Sequence, residues 1–125
     1  MDTADLTEDR TAAVAAAATA LLLAHHPAAK FDTTGAVATA GFVCLPGAPG
    51  SEQARVGHRA PFPRADNDRT FAGNAAEEFV LVAAYADLLR ENGWTVREVT
   101  TTRPGLLVFK PSVLTGADST LPMTP

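Results

Sequence analysis

Residues 74–110 read NAAEEFVLVAAYADLLRENGWTVREVTTTRPGLLVFK, and this stretch decides the fold. Asn74 has the side chain of a good N-cap, and Glu77 three residues on completes the pattern of a capping box. Glu77 and Glu78 then sit at the positive end of the helix dipole. Asn92-Gly93 marks the far end, Gly93 being suited to the left-handed position that follows a helix. Between Phe79 and Leu89 the only charge is Asp87. Glu77, Ala84, Asp87 and Glu91 share one narrow stripe and the rest of the circumference is apolar. The pattern predicts a helix over 74–92 that is covered on several sides, with Leu88 deeply buried.

After Gly93 the period changes from helical to alternating. Trp94, Val96 and Glu98 point one way and Thr95, Arg97 and Val99 the other, which predicts a strand. Arg103-Pro104-Gly105-Leu106 carries Pro and Gly at the central positions of a type II turn. Leu106–Phe109 is wholly apolar and is expected as a strand at the centre of the sheet, ended by Pro111.

Upstream, Ala36–Leu45 is apolar on both faces and reads as a further strand covered on both sides, with Gly41 marking a bulge or a close backbone approach. A first helix is expected from about Thr7, its N-cap, to His26. Its alanines favour helix and allow a neighbour to come close. Pro27 stops it, with His25 and His26 in the last turn where they favour the negative end of the dipole. Pro46–Gly73 contains Gly47, Pro49, Gly50, Gly57, Pro61 and Pro63, so a long irregular loop over 46–73 is expected. Within it, Ala54–His58 can return as a short strand beside 36–45. Helix-strand-strand thus occurs twice in outline.

Together these elements predict an α+β fold: two helices packed in two layers on an antiparallel sheet of three or four strands. Residues 1–110 form one domain, and 111–125 a flexible or surface-lying tail. The 125 residues are 46% hydrophobic, much of it alanine, and eight of the ten basic residues are Arg. A net charge of −4 disfavours a dedicated duplex-binding protein, which carries positive excess to replace phosphate counterions. Cys44 is alone, which excludes an intrachain disulfide, and its apolar setting predicts an inert thiol. The acidic start (Asp2, Asp5, Glu8, Asp9) has the wrong sign for a secretory leader. The apolar run 11–24 is shorter than the roughly 20 residues that span a bilayer. A cytoplasmic protein is expected, with no membrane partner.

No metal or cofactor motif is present, and none is expected. Asp66-Asn67-Asp68 lacks the glycine and distal glutamate of a calcium loop; its union with His58 in a metal or acid-base site would need the loop to fold back. The loop does concentrate Arg55, His58, Arg59, Phe62, Arg64 and Arg69. Arginine and aromatic residues are the types enriched at binding hot spots, and Pro61 and Pro63 hold Phe62 extended. These six residues are the candidate partner-binding site, and no catalytic set is assigned.

The run Leu88–Arg97 with the following turn and apolar strand resembles the helix-strand-strand core of HicA-type interferase toxins. That family places a catalytic histidine at the start of the second strand. Here the region reads Thr101-Thr102-Arg103-Pro104-Gly105, so the activity is not carried over. The same stretch resembles the recognition helix and wing of winged-helix regulators, with Arg97 and Arg103 on the wing, but without the three-helix lead-in. In texture the chain resembles small proteins of phages and mobile elements from high-GC, actinobacterial-type bacteria. The expected function is a non-enzymatic protein-interaction or assembly protein, homodimeric or part of a larger assembly. The alternative is a nucleic-acid-binding regulator using loop 54–71 and the 97–103 turn.

Overall fold

The computed structural model describes residues 3–100 and 102–111, the side chains of residues 3–9 excepted. It is an α+β fold of two helices and two antiparallel sheets. In chain order come α1 (Thr3–Leu23), β1 (Lys30–Phe31), β2 (Val37–Thr39), β3 (Gly41–Pro46), β4 (Gln53–Arg59), α2 (Phe71–Glu91), β5 (Thr95–Thr100) and β6 (Pro104–Phe109). β1 and β2 form a small ribbon. The other four strands make the main sheet, in the order β3-β4-β6-β5. Two hairpins, β3–β4 and β5–β6, are therefore joined through their second strands, with Ala54 opposite Val108 and Val56 opposite Leu106. The apolar 106–109 segment is central, as its composition predicts.

Both helices lie on the same sheet face, α1 against β3 and β4, and α2 against β4, β5 and β6. Alternation along the strands sends Phe42, Ala54, Val56, Leu106 and Val108 inward. From α1 they meet Val14, Ala15, Ala18 and Leu22, a stripe at helical spacing; from α2 they meet Val82, Tyr85, Ala86 and Leu89. Trp94 closes the end of this core beside the C-terminus of α2. Gly93 adopts φ +86° there. Its N–H donates to Arg90 O and that of Trp94 to Leu89 O, the paired bonds of a Schellman motif. Cys44 packs against the core, its Sγ 3.5 Å from Ala15 O, and burial pushes its thiol up.

Several details correct the sequence expectations. α2 begins at Phe71 under the cap of Thr70, whose Oγ1 accepts from Gly73 N, and not at Asn74. Leu89 is fully buried, whereas Leu88 is only half-buried, because the helix turns its Tyr85–Leu89 face to the sheet. Glu78 also faces inward, and Phe79 and Val80 are exposed along with Asp87 and Glu91 of the expected polar stripe. The 46–73 segment is not one irregular loop: 53–59 is a full strand and 71–73 is helix.

The 36–45 strand is interrupted at Ala40, so that 37–39 joins the ribbon and 41–46 the main sheet. Pro104 and Gly105 are already paired in β6, with Thr100 and Val99, so the turn precedes them. α1 starts at Thr3 rather than Thr7 and ends at Leu23. His26 lies beyond it and packs edge-on against the Tyr85 ring, 4.9 Å between centroids. The tail reading falls, apart from Pro111, outside the described residues. Among the described residues no helix is long and apolar enough to cross a membrane.

Candidate functional site

β4 ends where α2 begins its course over the sheet, and the polar residues of the protein converge there. His58, the last inward residue of β4, is buried. Its Nδ1 lies 2.8 Å from the Tyr85 hydroxyl and its Nε2 lies 2.7 Å from Glu77 Oε2. Tyr85 is pushed up to about 12, by burial first and then by the Glu77 charge. It therefore keeps its proton, and because the ionised Glu77 can only accept, the Nε2 hydrogen of His58 goes to Glu77. Burial works against the Glu77 charge, but hydrogen bonds from His58 and Arg69 hold its carboxyl below the usual carboxylate range.

The chain of bonds continues outward. Arg69 Nη1 donates to Glu77 Oε1 at 3.1 Å and to Asn74 Oδ1 at 2.9 Å. Asn74 in turn donates to Pro61 O. The proline-rich loop is thereby tied to the first turns of α2, and Asn67 adds its own clasp by donating to Phe62 O and accepting from the N–H groups of Arg64 and Arg69.

Beside this chain, the mostly buried Glu78 carboxylate holds two guanidinium groups. Arg103 Nε donates to it at 2.9 Å, and Arg59 Nη1 lies 3.8 Å away while donating to His58 O. Burial, and then repulsion from Arg103, lower the Arg59 pKa against the pull of Glu78.

These groups form the floor of an open cleft of about 750 Å³. One wall is Ala36, Val37 and Ala38 of the ribbon; the other is Pro61, Phe62 and Phe71; Arg64, Asp32 and Asp66 stand at its rim. Asp32 is held below the usual carboxylate range by the Thr34 hydroxyl and by the N–H groups of Thr34 and Ala36. Its oxygen is thus engaged in its own turn. The lining contains no Ser, Thr, Cys, Lys or Tyr to act as a nucleophile.

Of the six candidate binding residues, His58, Arg59, Phe62 and Arg64 line this cleft. Arg55 does not: it lines a second hollow with Val43, Leu45 and Leu107, which Arg59 and Arg103 also border. Arg69 is committed to Glu77 behind the cleft wall. Arg59 thus borders both hollows, Arg55 only the second and Arg64 only the first. His58 has a carboxylate partner, but it is Glu77 and not Asp66 or Asp68, and among the described residues no cluster could hold a metal ion.

Sequence reading missed Tyr85, Glu77, Glu78 and Arg103 as members of the site. Two adjacent glutamates in the first turns of a mostly apolar helix were the available signal, and they read as dipole partners. Compared with protein-family models, curated proteins and solved structures, the chain matches none.

Proposed function

We propose that this chain is a non-catalytic protein-interaction protein, an accessory or assembly factor. In this reading it holds a partner along the edge formed by residues 60–70 and the first half of α2. One observation carries it: Phe62, Phe71, Phe79 and Val80 are each about two-thirds exposed, at 66%, 67%, 62% and 66%. The rings of Phe62 and Phe71 are in edge-to-face contact at 5.2 Å. Ala75 and Ala76 carry the apolar surface on to Phe79 and Val80 at helical spacing. Isolated exposed apolar side chains are ordinary, but a contiguous patch bordered by polar residues marks an interaction surface. A second copy of the chain is one partner such a face accepts.

The double variant Phe79→Ser, Val80→Ser tests the reading. Both side chains are exposed, so the melting temperature should stay nearly unchanged. Affinity for a protein purified with the intact chain from its source cells should fall at least tenfold, about 1.4 kcal/mol. Unchanged affinity would overturn the reading, as would a chain that remains alone and monomeric under the same conditions.

A further inference from the structure

The cleft beside the aromatic edge has its own chemistry. We infer that it is a receptor for a carboxylate carried by an extended peptide segment, seated between Arg59 and Arg103 with its chain along β2. The inference rests on the proposed interaction function and names the partner chemistry.

Charge at the floor comes first. Two guanidinium groups share the one carboxylate of Glu78, which leaves one positive charge unbalanced there. Arg103 spends only its Nε on Glu78, and among the described residues its Nη atoms have no hydrogen-bond partner. A guanidinium offers five N–H donors in a planar fork, and a fork with one edge engaged presents the other to a second carboxylate. Arg59 lies close enough to Arg103 for the two to repel, and an anion between them would relieve that repulsion. The first turns of α2 open onto the same space through Phe71, Asn74 and Ala75, adding the positive end of a helix dipole. Of the acidic residues around the cleft, Glu78 is engaged by these two arginines and one oxygen of Asp32 by its own turn. Asp32 feels the Arg64 charge, and Asp66 also lines the cleft.

Shape then selects a peptide. β2 is the edge of a two-stranded ribbon, and Ala36, Val37 and Ala38 line the cleft while Lys30 and Phe31 of β1 do not. β2 has a strand neighbour on one edge only, so its other edge is open to a further strand. An extended segment can add there by main-chain hydrogen bonds, the way peptides join exposed sheet edges. Its apolar side chains would continue onto Phe62 and Phe71, which form the opposite wall and the start of the exposed aromatic edge.

The test is binding of the intact protein to an array of short synthetic peptides. Each peptide carries one Asp or Glu, beside a twin with Asn or Gln, and each is made with a free and with an amidated C-terminus. The expected result is retention of carboxylate-bearing apolar peptides and loss of their neutral twins; the free and amidated pairs show whether a side-chain or a terminal carboxylate is read. Arg103→Gln should weaken that binding at least tenfold. Arg97→Gln, the same charge change at a strand position that lines neither hollow, should leave it unchanged. Trp94 emission reports whether each variant is folded, and the acid-against-neutral comparison on the unaltered chain decides the matter should Arg103→Gln unfold. Equal retention of acidic and neutral peptides overturns the inference and leaves the interaction function standing. Acid-selective binding that survives in folded Arg103→Gln overturns the placement in this cleft. Retention of no peptide overturns the peptide receptor itself, whereas the interaction function falls on the Phe79→Ser, Val80→Ser measurement or on a chain that stays alone and monomeric.

Discussion

The hydroxyl of Tyr85 lies 2.8 Å from Nδ1 of His58, and both side chains are fully buried between α2 and β4. Tyr85 is the only tyrosine in the chain, so its ionisation can be followed directly by ultraviolet absorbance. Burial, aided by the Glu77 charge, raises its pKa from 10.0 to about 12. A raised folded-state value stabilises the fold fully below the unfolded value, and that contribution is lost as pH rises through the folded one. Stability should therefore decline from about pH 10 upward. The phenolate signal should appear near pH 12, or abruptly where the protein unfolds. A smooth transition centred near pH 10 in the folded protein would show that the ring is solvated.

Glu77 gives the opposite dependence. Its carboxyl is held low although burial opposes this, because His58 and Arg69 both donate to it. A depressed folded-state value contributes stability that is present above the unfolded value and lost as pH falls through the folded one. Glu77→Gln should cost about 1–3 kcal/mol at neutral pH, the range for a hydrogen bond to a charged group. It should also flatten the loss of stability on acidification below the ordinary glutamate range. Parallel acid profiles for the two proteins would show that Glu77 does not carry this dependence.

The adjacent leucines of α2 separate the core from its border. Leu89 is fully buried between Trp94 and the sheet, and Leu88 packs only partly against the same cluster. Leu89→Ala should cost about 2–5 kcal/mol, and Leu88→Ala clearly less. Reversible denaturation followed by Trp94 fluorescence measures both. Equal costs would mean that α2 is rotated relative to the arrangement described.

This helix also shows how far the sequence could be read. Its existence, its Gly93 terminus and the hairpin after it were legible because each has a local signature. Its start was not, because Asn74 and Glu77 imitate a capping box, while Asn74 in fact bonds Pro61 and Arg69. Its rotation was not legible either. Phe79 and Val80 appeared to belong to the core and Glu77 to solvent; instead Phe79 and Val80 are exposed and Glu77 is half-buried, because His58 and Arg59 of β4 and Arg103, just before β6, receive the two glutamates. Such partners are far apart in sequence and leave no spacing to recognise. The binding residues in 54–71 were legible by composition alone, which could not show that Arg55 and Arg64 border different hollows and Arg59 both.

Gly41 joins the ribbon to the main sheet, and its replacement should separate the two. A Cβ at this position would fall within contact distance of the Ala28 carbonyl carbon and the Ala29 nitrogen, which are backbone atoms. They have little room to withdraw. Phe42 N donates to Pro27 O and Ala29 N donates to Phe42 O, so residues 27–29 are fastened to the residue next to the glycine. Gly41→Ala should cost about 1–3 kcal/mol, the usual range for overpacking, whereas Ala for Gly in an unobstructed strand is neutral or mildly favourable. Gly57→Ala is the control, since its Cβ would meet only side-chain atoms at 3.5 and 3.6 Å. The damage should also be local. Residues 27–40 carry the β2 wall of the cleft, so hydrogen exchange there should quicken more than in β4 or β6, and retention of acidic peptides should fall with it. Uniform acceleration across all strands would show instead that the ribbon and the main sheet open as one unit.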